Sequence, residues 1–499
     1  MKHLSIPLLI SFLALPTELV GAIRLDVQGR RGRHLQRRGG FTGSSELSDS
    51  NNIQYYVNLT LGGQSFQVEI DTGSADLYVA GNVKNSNDTG KSSGVTYAVG
   101  AVKGEIRTAT MDFLGYTVEN QAYLQINPNS SNQTEATGLI GLGPHTGSNI
   151  QQTLGNGTGN PPLDRIFQQN TSTPNYLTVL LGRSEDKDDD DVPGNITIGE
   201  ILPEYQAVSS QPKLSVTELK LTEQTAQHWQ TLLDADGIIG PNGKVVDVTT
   251  GVSSTSNDKQ LTVVFDTGYS LPQVPSSVAE AFYQNVPGAQ YIDNVASLAG
   301  PAWQIPCDYE INVTFKFGGQ SYPINPLDVS LDLGAEDSDG KAICYGGFQP
   351  IDVAKSDLYD MIFGMAFLRN VYMLIDYGDF ADNATTRADP YIQLLSISND
   401  TTEMHDDFVN IRGGSASWDP NAHATSTWIH DHLSLIIPLS IAGALLIVGI
   451  AVGAIQLCRR KRATRYHPLS DPAPHEAHDL RLMQAGTAPT YANPWDARY

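Results

Sequence analysis

Two stretches nearly two hundred residues apart share one plan, and that repetition limits what the chain can fold into. The first, from Phe66 to Gly81, reads Phe-Gln-Val-Glu-Ile-Asp-Thr-Gly-Ser-Ala-Asp-Leu-Tyr-Val-Ala-Gly. The second, from Leu261 to Pro275, is centred on Val263-Val264-Phe265-Asp266-Thr267-Gly268-Tyr269-Ser270. In both, a β-branched and aromatic run of strand character ends on Asp-Thr-Gly, so the carboxylate falls where a buried strand breaks into a tight turn. If each residue type runs at roughly 5 to 7 per cent, a chain of this length holds about 0.1 such tripeptides by chance. Two copies, each behind an apolar strand, predict two similar halves whose turns face one another. The plainer alternative is a pair of unrelated β-turns or Asx motifs.

Pairing has a chemical reason. Two carboxyl groups held about 3 Å apart cannot both ionise, so they share one proton, one serving as base and the other as acid. Their titration belongs to the pair. A water hydrogen-bonded between them can be deprotonated by one carboxylate while the other protonates a peptide carbonyl oxygen, giving a tetrahedral gem-diol without a covalent enzyme intermediate. Glycine after each Asp-Thr permits the sharp turn and brings backbone N–H groups toward the carboxylates. This chemistry calls for no metal, no cofactor and no nucleophilic side chain.

Other pieces stand in order around the turns: the opening strand Tyr55-Tyr56-Val57-Asn58-Leu59-Thr60-Leu61-Gly62, the apolar-apolar-Gly elements Leu139-Ile140-Gly141 and Ile362-Phe363-Gly364, His228-Trp229-Gln230, and the run Ile362 to Asp376 containing Phe367-Leu368-Arg369. Together they resemble a pepsin-like aspartic endopeptidase over roughly Asn52 to Ser398. The resemblance implies an all-β, bilobal fold with one Asp-Thr-Gly turn per lobe, with Asp71 and Asp266 as the catalytic pair and Thr72, Gly73, Ser74, Thr267 and Gly268 supporting them. It also implies a hairpin flap between Gly94 and Gly115, with Tyr97 and Ala98 against substrate; the alternative for Tyr97 is an ordinary hairpin aromatic. Cys307 and Cys344 match the second-lobe disulfide of such proteins, and an oxidising compartment would pair them.

The chain departs from the pattern in four ways. Ala98-Val99 replaces the usual Gly-Thr or Gly-Ser after the flap tyrosine, Tyr78 stands where Trp is common, and Asn82 to Gly90 lacks the small disulfide loop. Tyr269 stands where Ser or Thr normally follows the second turn. A phenol cannot occupy the space of that hydroxyl, so either Ser270 takes over or Asp266 loses a hydrogen bond and titrates higher.

The flanks predict the setting. Residues 1–22 have a basic start, an apolar stretch and Val20-Gly21-Ala22, and read as a cleaved signal peptide. Residues 23–38 carry Arg30-Arg31 and Arg37-Arg38 and read as a short basic propeptide of a zymogen, or else as a flexible basic arm. The lobes are expected over 39–210 and 211–398, and a stalk over 399–432. A transmembrane helix is expected over 433–457, 25 residues without a charge. Arg459-Arg460-Lys461-Arg462 then puts a disordered tail, 458–499, in the cytosol. A glycolipid-anchor signal is the rival reading. Cys458 is a palmitoylation site or a plain buried Cys, and Tyr466-His467-Pro468-Leu469 has the form of an endocytic sorting signal.

Sequons at Asn58, Asn87, Asn129, Asn132, Asn156, Asn170, Asn195, Asn312, Asn383 and Asn399 all precede the apolar segment, as on a lumenal body. The acidic run Glu185 to Asp191 reads as a solvated loop, with calcium binding a distant second. A 40 per cent apolar chain of 499 residues can build a two-lobed core, and its formal charge of −23 argues against a nucleic-acid partner.

The expected protein is a monomeric, single-pass type I membrane protein of the secretory pathway, at the cell surface or an endosomal or vacuolar membrane, that cleaves polypeptides at acidic pH. Two other readings stay open. One is a peptide-binding ectodomain of the same fold with weak or no catalysis. The other is a processing enzyme with basic-residue specificity, which needs acidic side chains in the cleft, and sequence does not place Glu105 or Asp112 there.

Overall fold

The computed structural model describes residues 23–31, 53–96, 101–128, 137–155, 157–169, 175–183, 192–298, 300–337, 340–351, 357–378, 388–414 and 416–417. They are predominantly β. In the first half, β1 (Ile23–Arg31), β2 (Ile53–Leu61) and β3 (Gln64–Asp71) lie side by side, β2 and β3 joined by Gly62-Gly63, both at positive φ as a two-residue hairpin turn requires. Along β3 the apolar Val68 and Ile70 enter the core, so Glu69 and Asp71 leave on the opposite face. Next come β4 (Leu77–Ala80), then β5 (Asn87–Thr96) and β6 (Ala101–Phe113), which form a long hairpin, then β7 (Tyr116–Ile126) and β8 (Gly138–Gly141). β8 runs parallel to β3, with Asp71 opposite Gly141, and antiparallel to β4, which runs parallel to β7.

The second half repeats this arrangement. Thr262–Phe265 runs parallel to Met361–Phe363, with Phe265 opposite Phe363. Gln273–Pro275 is antiparallel to Met361–Phe363 and parallel to Gln349–Ile351. Each catalytic-type turn is therefore threaded by an apolar strand of its own half.

The halves are joined rather than merely apposed. β9 (Tyr176–Leu180) pairs with β10 (Val192–Ile198) on one side and with Val371–Asp376 on the other. One thirteen-stranded sheet consequently runs from the first half into the second. A single core cluster contains Val68, Ile70 and Ile140 together with Phe265, Phe315, Phe363 and Phe367. The buried Trp229 indole donates 2.9 Å to the Leu142 carbonyl, which also accepts from the Tyr377 hydroxyl. A second tie is ionic: the buried Asp328 carboxylate receives Arg183 from the end of β9 and, at 2.6 Å, Arg369, with Asn370 at 2.9 Å.

Several expectations meet the described residues. Residues 23–31, assigned above to the propeptide, form β1 between β10 and β2. The region read as an aperiodic stalk opens instead with a helix, Thr401–Arg412, because Asp400 caps its first amides, Gly413 ends it at φ 70°, and Met404 and Phe408 bury one side. Cys307 and Cys344 are bonded. Asn58, Asn87, Asn312 and Asn399 are exposed, whereas Asn195 is 6 % exposed inside the sheet, where it stands opposite Asp26 of β1. Residues 1–22, the acidic run, Tyr97, Ala98, Asn129, Asn132, Asn156, Asn170, Asn383, the apolar segment 433–457 and the tail lie outside the described residues. Among the described residues no helix is long and apolar enough to cross a membrane.

Candidate active site

The two Asp-Thr-Gly turns meet. Asp71 and Asp266 are hydrogen-bonded to each other and are 4 % and 3 % exposed. The closeness depends on glycine: a Cβ on Gly73 would lie 2.1 Å from Asp266 Oδ2, and one on Gly268 2.7 Å from Asp71 Oδ1. Any other residue would push the opposing carboxylate away.

Beneath the acids the threonines clasp the halves. Thr72 Oγ1 donates to the Phe265 carbonyl at 3.0 Å and accepts from the Thr267 amide at 3.0 Å. Thr267 Oγ1 returns both bonds, donating to the Ile70 carbonyl at 2.9 Å and accepting from the Thr72 amide at 3.0 Å. Both side chains are fully buried, and the four reciprocal bonds give partners to two hydroxyls, two amides and two carbonyls.

The carboxyls are not equivalent. Each accepts its own glycine amide at 2.8 Å, Gly73 to Asp71 and Gly268 to Asp266. Asp71 also accepts a short hydrogen bond from the Ser74 hydroxyl. Burial raises Asp71 above the usual carboxylate range, and the Ser74 and Gly73 donors hold that rise back. Asp266 is raised well above it, first by burial and then by the Asp71 charge, with Gly268 opposing. Tyr269, at the position matching Ser74, packs its ring against the cluster of Val264, Tyr359 and Ile362.

A cleft opens beside the pair. A cavity of about 130 Å³ is lined from both halves, by Gly73, Ser74, Val95 and Thr96 on one side and Thr225, Gln227 and His228 on the other. Val95 and Thr96 belong to the β5–β6 hairpin, so the hairpin walls this cleft on the side of Gly73 and Ser74, and its tip is outside the described residues. Tyr78 is buried against Val95, Val102 and Leu139. Glu105 is exposed and pairs with Arg107, and Asp112, also exposed, accepts from Thr117, so neither faces the acids.

Sequence reading passed over Glu69, although the period-two alternation of β3 puts it on the face of Asp71. Burial, then the Asp71 charge, push its carboxyl up to about 8. It also passed over Asp328 and Arg183, which are far apart in the chain and carry no local pattern.

A family model described as eukaryotic aspartyl protease matches residues 54–383. The chain is 28 % identical over 380 residues to "Major aspartyl peptidase 1" of Cryptococcus neoformans var. grubii, covering 70 % of this chain and 72 % of that one. It is 24 % identical to "Aspartic protease" of Phaffia rhodozyma over 68 % of this chain and 78 % of that one. It is 23 % identical to "Cathepsin E" of Cavia porcellus, over 66 % and 79 %. With one Asp-Thr-Gly turn from each half meeting in this way, the chain belongs to the eukaryotic aspartyl protease family.

Proposed function

We propose that this protein is an aspartic-type endopeptidase in which Asp71 and Asp266 hydrolyse peptide bonds in acid. The carrying observation is the mutual hydrogen bond of two buried carboxyls raised from their ordinary range. Asp71, held lower by Ser74, is the base that takes a proton from water. Asp266, held higher, is the acid that protonates the scissile carbonyl oxygen. The tetrahedral gem-diol then collapses with proton return to the leaving amine, and no covalent intermediate forms. An extended polypeptide lies across both acids under the β5–β6 hairpin, with Tyr97 and Ala98 at its tip.

The purified chain should cleave a denatured protein between pH 3 and 6, and Asp71→Asn should abolish it. Equal cleavage by both would overturn the assignment. Binding of a peptide without cleavage at any pH would instead support the noncatalytic reading.

The setting we propose is the secretory pathway, with residues 1–22 removed, 23–38 a zymogen segment, and 433–457 a single membrane span with the tail in the cytosol. Its support is the apolar segment followed by four basic residues, and exposed sequons at Asn58, Asn87, Asn312 and Asn399. Protease protection of the tail in sealed vesicles, with a mobility shift on deglycosylation, tests this arrangement.

A further inference from the structure

Glu69 lies one pleat behind Asp71, on the same face of β3. Its lateral neighbours are Tyr56 on β2 and Leu139 on β8. Leu139 stands opposite Tyr78 on β4, and Tyr78 opposite Leu124 on β7. Cross-strand partners share a face, so these residues form one row across the sheet, aromatic and aliphatic except for a single acid. Leu139, Tyr78 and Leu124 pack in one cluster with Val95 and Val102 of the hairpin that walls the cleft.

The acid in that row is 7 % exposed, and among the described residues neither a hydrogen bond nor a cation reaches its carboxyl. The charge acting on it is that of Asp71, and it in turn raises Asp266. The second lobe puts Val264 at the matching position, buried among apolar side chains, so the architecture itself does not need an acid there. A buried carboxyl left unpartnered is costly. An apolar wall ending in one acid, beside the scissile pair, complements a long alkyl stem that ends in a cation.

We propose that Glu69 is a specificity-determining residue: with Tyr56, Leu139 and Tyr78 it forms a subsite for a Lys or Arg side chain of the polypeptide bound across Asp71 and Asp266. This rests on the endopeptidase reading above and supplies the acid in the cleft that a basic-residue preference requires. The groups facing Glu69 are Asp71 and Asp266 from the two turns, the Tyr56 phenol from β2, and the uncharged Leu139 from β8. In acid the Glu69 carboxyl is neutral. A seated ammonium or guanidinium favours its ionised form, so the proton leaves as the cation enters, and preference for a cation grows as pH rises toward neutrality.

The test uses the full-length chain with matched peptides carrying Lys or norleucine, in turn, at each of the three positions on either side of the cleaved bond. At one position wild type should favour Lys by about tenfold in kcat/KM at pH 6.5 and by less at pH 4.5. Glu69→Gln, close to isosteric, should bring the ratio to about one, and Glu69→Leu should invert it. A wild-type ratio retained by both variants, or no position favouring Lys, overturns the proposal. Absence of any wild-type turnover would count against the endopeptidase reading instead. Binding of non-hydrolysable hydroxyl-containing Lys and norleucine analogues then still decides the subsite, with equal affinities overturning it.

Discussion

The two Asp-Thr-Gly turns have the same backbone and different chemistry. Each strand ends on its Asp beside an apolar-apolar-Gly partner, each glycine admits the opposing carboxylate, and each threonine bonds across to the other half. Yet the first turn surrounds its acid with Ser74 and Glu69, whereas the second offers Tyr269 and Val264 at the same places. Symmetric scaffolding holds the acids together, and asymmetric neighbours give the two carboxyls different surroundings. The symmetry is a property of packing; the division of labour belongs to a few side chains.

That contrast can be tested from its most damaging breach to its mildest. Asp71→Asn and Asp266→Asn should each lower kcat by about a thousandfold or more, because neither acid can replace the other, and a variant keeping a tenth of the rate would show that one acid suffices. Asp328→Ala should cost about 3 to 5 kcal/mol in urea unfolding, since it strands the buried Arg183 and Arg369 that it ties together. Thr72→Val and Thr267→Val should each cost about 1 to 3 kcal/mol and, given the reciprocity of the clasp, nearly equal amounts. A loss confined to one of them would mean that the halves are held less evenly than their hydrogen bonds indicate.

The mildest test is a shift in pH profile. Ser74→Ala removes a donor to ionised Asp71, which raises that carboxyl, so the acid limb of kcat/KM should move to higher pH. Tyr269→Ser offers Asp266 a donor to its ionised form, which lowers that carboxyl, so the alkaline limb should move to lower pH. Limbs that stay in place in both variants would remove the proposed roles of base and acid.

Much of this was legible in the chain because it is written locally. Asp71, Asp266 and their glycines stand in a short motif behind an apolar strand, and the order of Leu139-Ile140-Gly141, Trp229 and Ile362-Phe363-Gly364 gave the fold its two halves. What escaped was nonlocal or masked by habit. The bond between Asp328 and Arg183 spans 145 positions and exists only after the sheet closes. Glu69 was in plain view, but an acid in a strand reads as solvent-facing until its neighbours Tyr56 and Leu139 are known. Helix Thr401–Arg412 was missed because two buried residues, Met404 and Phe408, make only a faint apolar stripe, and its support comes from Asp332 and Glu310 far upstream.

The ladder that passes from β9 into Val371–Asp376 has a mechanical consequence. Swinging the halves apart like a clam would mean tearing edge-to-edge amide bonds along the floor, so the base behaves as one stiff plate. Entry and exit of a polypeptide must then be governed from above, by the β5–β6 hairpin, whose described strands rest on Leu139 and Ile150 through Val95 and Val102.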